Sequence, residues 1–314
     1  MAQWLPDIQL DEPAIRALLE SSAPQLLAGG DAQLEEVARG WDNVVWRIAR
    51  SDGGRSMLVR VPVREVGVPG VQRELWLLER LAHVTSLPIP GPITVLDPLG
   101  PVRWRGFAYP ELLGTEVVLA NPPADGGLAL AGQLGRFLRR LHDPTVLGAV
   151  DPDGLLPVDP NRRADMAFRA ANTHEALDQL DHDTLPLEQR ELAAELLAAA
   201  ADLPPEGEQV FLHGDLHLRH VLVDDTATRI TGVLDWGDAC RGPRSIDLAL
   251  YWCLLEGPAR RAFREAYGPL PKDVLLRARV LAMFLATMLI VSANTFDIPG
   301  LEARCREALL RTLR

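Results

Sequence analysis

Apolar and polar residues alternate with two different periods along this chain, and the change of period divides it. Near the start, Ile15, Leu18 and Leu19 fall on one helical face behind Asp11 and Pro13, which predicts a short helix over residues 11–24. Strand-like alternation follows at 34–38, 44–49 and 57–61. The breaks between these runs are Gly40-Trp41-Asp42-Asn43 and Asp52-Gly53-Gly54, and the second is a strong hairpin signal. Residues 71–83 return to helical spacing through Leu75, Leu78 and Leu81. A proline-rich connection at 87–92 then leads to two further strands near 93–96 and 104–109.

Beyond Pro110-Glu111-Leu112-Leu113-Gly114 the helical period dominates. Helices are expected at 128–142, 162–177 and 187–201, with the Asp-, Pro- and Gly-rich stretch 143–160 as a loop. Short β-runs return at 209–236, and 245–314 is almost wholly helical in pattern. No internal repeat or low-complexity segment interrupts this order. The pattern predicts an α+β chain in two lobes. A β-rich N-terminal lobe with one main helix covers 1–110, a hinge 111–114, and a larger, mostly helical lobe 115–314.

Composition narrows the class. The 314 residues carry 43 acidic and 32 basic side chains, a formal charge of −11, with 47% hydrophobic residues, as in a folded globular protein. The acidic balance speaks against nucleic acid as a partner and is compatible with a cationic small molecule. No apolar run is expected to span a bilayer, which needs about 18 residues or more, so no membrane partner is expected. The opening residues lack a basic segment followed by an apolar one, and the three cysteines are too scattered for a disulfide framework, so a cytoplasmic enzyme is expected. Lys272 is the sole lysine among the 32 basic residues, so chemistry that commonly uses lysine falls to arginine here.

The chemistry concentrates in 210–238, VFLHGDLHLRHVLVDDTATRITGVLDWGD. One β-run ends in His213-Gly214-Asp215 and a later one in Asp235-Trp236-Gly237, so two carboxylates lie at strand ends in one compact segment. Phosphoryl transfer needs such a pair: one carboxylate to orient and deprotonate an alcohol, another to hold Mg²⁺ on the phosphates. The chain has no GxGxxG and no GxxxxGK[ST], so Rossmann and Walker-type sites have no support.

His213-Gly214-Asp215-Leu216-His217-x-x-His220 followed by Asp235-Trp236-Gly237-Asp238-Ala239 resembles the signature of the aminoglycoside phosphotransferase family, small-molecule kinases with a protein-kinase-like bilobal fold. Weaker likenesses, in the same order as in that family, run from about residue 37 to 250. The resemblance implies Asp215 as catalytic base, Asp235 as the main Mg²⁺ ligand, and Arg60, paired with Glu74, as the contact to the nucleotide phosphates. It implies Gly40 and Asn43 in the hairpin over the nucleotide and Glu111 at the hinge beside its base. Mg²⁺ and ATP or GTP are the implied cofactor and donor, and a hydroxylated small molecule the acceptor. His220 departs from the usual metal-binding asparagine and is similar to macrolide phosphotransferases, so it stands as a second metal ligand or a positioning group. Asp247 resembles a structural tether of the catalytic loop, and His213 an architectural residue rather than a proton shuttle. Three rival readings remain open at this point. They are a zinc hydrolase built on His213, His217, His220 and Asp215, a nucleotide-binding pseudokinase, and a housekeeping sugar or amino-alcohol kinase. Acceptor identity, ATP against GTP and oligomeric state are beyond the sequence.

Overall fold

The computed structural model describes residues 5–28, 32–50, 54–121, 123, 125–296 and 298–314. The chain divides into two compact units: 1–83 with 88–112, and 84–87 with 113–314.

The first unit is a five-stranded antiparallel sheet. Its strands are β1 (Gln33–Arg39), β2 (Asn43–Ala49), β3 (Met57–Pro62), β4 (Thr94–Leu96) and β5 (Gly106–Pro110), in the order β1-β2-β3-β5-β4. Along β2 the buried residues Val44, Trp46 and Ile48 alternate with half-exposed ones, which is why this run reads clearly as a strand. They share a core with Ile15, Leu18 and Leu19 of α1 (Glu12–Ser22). That helix starts where expected, because the Asp11 carboxylate accepts the Ala14 N–H at 3.0 Å. β2 and β3 pair antiparallel as the Asp52-Gly53-Gly54 signal requires, although Asp52 and Gly53 lie outside the described residues. Helix α2 (Val68–Leu81) follows β3 and buries Val71, Glu74, Leu77, Leu78 and Leu81. Of the expected stripe Leu75, Leu78 and Leu81, the last two are buried and Leu75 is only half-buried. A carboxylate on the buried face of an amphipathic helix needs a partner, and Glu74 has one in β3.

The second unit packs helices around two small sheets. Strands β6 (Thr115–Glu116), β8 (Val221–Val223) and β9 (Ile230–Val233) form one, and β7 (Val210–Leu212) pairs with β10 (Cys240–Gly242) in the other. The helices are α3 (Leu128–Leu141), α4 (Pro144–Val150), α5 (Met166–Asp178), α6 (Leu187–Ala201), α7 (Ala249–Cys253), α8 (Gly257–Tyr267), α9 (Lys272–Phe296) and α10 (Leu301–Thr312).

Three expectations need correction. The 143–160 loop contains α4, whose start is signalled by Asp143 accepting the Thr145 N–H and by Pro144 in the first turn. Helix α5 begins at Met166 instead of 162, because Arg162 has a positive φ of 51° and Asp165 caps the Phe168 N–H. Finally, one apolar run is long enough to cross a membrane by length and composition, within Lys272–Ala293 of α9. Most of it is buried inside this unit against α5, α7 and α10, so it is explained as a core helix.

Candidate active site

Strand β7 ends at Leu212 and delivers His213, Gly214 and Asp215 into a loop held by buried groups. Asp247 is fully buried and accepts the backbone N–H groups of His213 and Gly214 at 2.8 and 2.9 Å. Its Oδ2 lies 3.3 Å from His142 Nε2, and His142 Nδ1 lies 2.8 Å from the Tyr267 hydroxyl. Burial alone would raise the Asp247 pKa, but the His142 hydrogen bond and the charges around it outweigh burial and hold it below the usual carboxylate range. Gly214 has φ +85°, and a Cβ there would sit 2.1 Å from the Asp238 carbonyl oxygen, so only glycine fits.

The His213 ring is buried and 4.5 Å from the Trp236 ring, centroid to centroid. Its Nε2 donates to the Leu234 carbonyl at 2.9 Å, and its Nδ1 accepts the Asp215 N–H at 3.2 Å. Burial lowers its pKa, so it is a neutral strut with both nitrogens used. That removes it from the zinc set. Among the described residues Asp215, His217 and His220 do bring ligand atoms within 4.8 Å of one another. Their tautomers oppose a metal nest, however. His217 Nδ1 accepts the Arg219 N–H at 3.2 Å and His220 Nδ1 donates to the Asp215 carbonyl at 2.8 Å. The nitrogens nearest the Asp215 carboxylate, His217 Nε2 at 3.7 Å and His220 Nδ1 at 3.8 Å, therefore carry hydrogens rather than lone pairs. Burial and then the neighbouring His220 keep the His217 pKa well below its ordinary value.

The same tautomer leaves the His220 Nε2 lone pair facing Asp235, 3.7 Å from Oδ2. One imidazole and one carboxylate so placed can share a divalent cation, with the carboxylate as the harder ligand. Asp235 stands at the end of β9 in a left-handed conformation, φ 60° and ψ 70°, which aspartate tolerates better than most residues. The short turn after it places Trp236 in the core, stacked on Phe211.

Two residues to which the sequence pattern assigned no role complete the surroundings of Asp215. Arg163 Nη2 donates to Asp215 Oδ1 and to Asp238 Oδ2, both at 2.8 Å. Asn161 Nδ2 adds a bond to Asp238 Oδ2 at 3.1 Å. Burial would weaken the hold of Arg163 on its proton, but the two carboxylates outweigh it and raise its pKa. Nearby Arg169 shows the opposite balance, lowered to about 10 by burial and then by the charge of Arg163. Arg163 lies some fifty residues from Asp215, at the start of the helix expected over 162–177 but ahead of the observed α5, so no spacing rule tied it to Asp215.

In the first unit, Arg60 on β3 meets Glu74 on α2, Nε to Oε2 3.4 Å, and the Glu74 side chain is 1% exposed. Glu111 is engaged at both ends: its carboxylate takes Arg47 at 2.7 Å and its carbonyl accepts from Arg55 at 3.0 Å. Gly40 and Asn43 close the β1–β2 turn through the backbone, Gly40 N–H to the Asn43 carbonyl at 2.9 Å. A Cβ on Gly40 would make only an ordinary 3.7 Å contact, so this turn does not require glycine. The close approach is at Gly67, where a Cβ would meet that of Asp42 at 2.6 Å.

A family model described as "Phosphotransferase enzyme family" matches residues 33–281, most of the chain and all the residues just described. The chain belongs to this phosphotransferase family. An aminoglycoside 3′-phosphotransferase from Streptomyces fradiae is 35% identical over 159 residues, 46% of this chain. The chain spans just over half, 55%, of that relative's length. Solved phosphotransferase structures match the fold at low identity. The GDP and kanamycin complex of the aminoglycoside enzyme APH(2″)-IIIa has a TM-score of 0.66 at 18% identity, covering 95% of this chain and 97% of that one. The macrolide 2′-phosphotransferase MphH of Brachybacterium faecium has 0.56 at 22%, covering 95% and 98%. The α+β, kinase-like fold expected from the sequence is thus the fold that this chain shares with those structures.

Proposed function

We propose that this phosphotransferase moves the γ-phosphoryl group of ATP or GTP to a hydroxyl of an aminoglycoside- or macrolide-like molecule. The observation that carries the reading is the meeting, in one rigid loop system, of Asp215 with an independent carboxylate–imidazole pair, Asp235 and His220, 3.7 Å apart. In this reading Asp215 accepts a hydrogen bond from the acceptor hydroxyl, aligns its oxygen and takes its proton as the new P–O bond forms. Asp235, with His220 beside it, holds Mg²⁺. Held there, the cation would supply positive charge to offset the charge that develops on the transferring phosphoryl group. Arg60, kept in place by Glu74, is the cation for the phosphates, and its forked donors suit the task that lysine performs elsewhere.

Glu111, with its carboxylate taken by Arg47, contributes in this reading as a strut of the N-terminal unit. The charge of −11 suits an acceptor bearing amines. A cytoplasmic setting goes with this reading, since nucleoside triphosphates are available there and the three cysteines are buried free thiols. The test is a panel of aminoglycosides, macrolides and simple amino-alcohols with Mg-ATP and Mg-GTP. Phosphorylation of at least one antibiotic is expected, with loss of at least about 10³-fold in Asp215→Ala and retained nucleotide binding. Nucleotide binding without phosphorylation of any member, or an Asp215→Ala variant with wild-type turnover, refutes the assignment.

A further inference from the structure

Resting on the reading of Asp215 as the base, we infer that Arg163 is a positioning residue that selects which oxygen of Asp215 meets the acceptor. A single guanidinium nitrogen, Nη2, spends its two hydrogens on two carboxylates from separate segments, Asp215 Oδ1 and Asp238 Oδ2. A carboxylate on a short side chain can otherwise turn about its terminal torsion at little cost, since that torsion is broad. The bond to Oδ1 removes this freedom. It leaves Oδ2, the oxygen nearer both His217 Nε2 and His220 Nδ1, for the incoming hydroxyl.

Arg163 is itself fixed from behind. The Asp159 carboxylate accepts the N–H of Arg163 at 2.8 Å and of Ala164 at 2.8 Å, and Arg169 holds the Asn161 carbonyl at 2.8 Å. Asn161 returns to the clamp through Asp238. The Arg163 side chain is 11% exposed and that of Asp215 22%, so solvent screens the bond between them little. The arrangement has a purpose beyond stability. An ion pair built only for stability would be better placed away from a carboxylate that has to face substrate, and a misplacement of about 1 Å at a reacting group can cost about 10²-fold in rate.

The experiment compares wild type, Arg163→Lys and Arg163→Met, alone and combined with Asp215→Asn. Expected are a fall in kcat of about 10²-fold in Arg163→Met with acceptor and nucleotide KM within about threefold, and partial recovery in Arg163→Lys. In the Asp215→Asn background, Arg163→Met should change kcat by less than about threefold, because its effect runs through Asp215. A full additional loss in that background, or a change confined to KM, overturns the inference. Wild-type inactivity on every acceptor would instead count against the kinase reading. In that case crystal structures of wild type and Arg163→Met decide the positioning claim: Asp215 turned in the variant supports it, and Asp215 unmoved overturns it. Asp238→Asn, which keeps Arg163, is the second variant should Arg163→Met fail to fold. It should show a smaller kcat loss of the same kind, and a wild-type kcat would overturn the inference.

Discussion

At the scale of single residues, the site depends on atoms that have no freedom to move. Gly214 is the clearest case, since its φ of +85° and the Asp238 carbonyl 2.1 Å from a would-be Cβ exclude any side chain. Gly214→Ala is expected to destabilise the protein by at least about 2 kcal/mol, read from denaturant unfolding, through backbone strain and overlap together. An equally stable variant would mean that the loop adopts another path. The histidines show how far residue type alone carries an argument. Three imidazoles within eight positions suggest a metal cluster, yet both nitrogens of His213 and Nδ1 of His217 and of His220 go to backbone partners, and His217 Nε2 faces the Asp215 carboxylate. Only His220 Nε2 is left to face a carboxylate outside the loop, Asp235. Composition cannot tell such a cage of donors from a set of ligands, because the difference lies in which nitrogen carries the hydrogen.

At the scale of elements, pairs of segments hold each proposed chemical group. The loop that carries Asp215 hangs from Asp247 and is propped by His213, and both groups are shifted toward their deprotonated forms. For both, the folded pKa lies below the unfolded one, so the unfolded chain takes up protons first as pH falls. Their stabilisation is complete above the unfolded values, about 6.5 for histidine and about 3.9 for aspartate, and is lost as pH falls through the folded ones. Unfolding midpoints in urea should therefore begin to fall below about pH 6.5 and drop more steeply below about pH 4. A flat profile from pH 7.5 to 5 would contradict the assigned state of His213.

In the first unit, β3 and α2 bring Arg60 to Glu74. Glu74→Gln removes the charge that holds Arg60. We expect nucleotide affinity to fall by about tenfold, measured by titration calorimetry, with acceptor KM unchanged. Unchanged affinity would detach Arg60 from the phosphates. The family resemblance names Glu74 as the partner of Arg60, whereas periodicity marks it only as a polar residue next to a leucine stripe. Its burial follows from where α2 rotates onto the sheet, and that packing is absent from any local window.

At the scale of the whole molecule, one helix illustrates why an apolar run is not a location. The segment Lys272–Ala293 meets the length and composition of a membrane span, and residues such as Val280, Ala282, Met283 and Thr287 are at most 1% exposed within the second unit. A helix apolar on most sides is what the centre of a helical unit requires. In detergent phase partitioning the folded protein is expected in the aqueous phase, whereas transfer to the detergent phase would contradict the core reading. The two units also differ in how legible they are. β1, β2, β3 and the helices α1, α3 and α6 fall close to their expected bounds, with clear alternation along β2 and an Asp11 cap on α1. Two others do not: α4 lies in the stretch expected as a loop although Asp143 and Pro144 signal its start, and the approach to α5 turns at Asp159 and Arg162, both at positive φ.

The sequence by itself determined the lobe order, the α+β class and the family. Strand and helix periods, turn residues and the His213–Asp238 spacing are local properties of the chain. It also left arginine as the only other basic side chain besides histidine, since Lys272 is the one lysine and sits in α9. Only the tertiary structure decided that the His213 nitrogens are spent, that Glu111 is tied to Arg47, and that Arg163 grips Asp215 from a connection fifty-two residues upstream. These are facts about partners rather than positions. A hydrogen bond between distant segments depends on how the intervening helices pack, and side-chain periodicity carries no record of it.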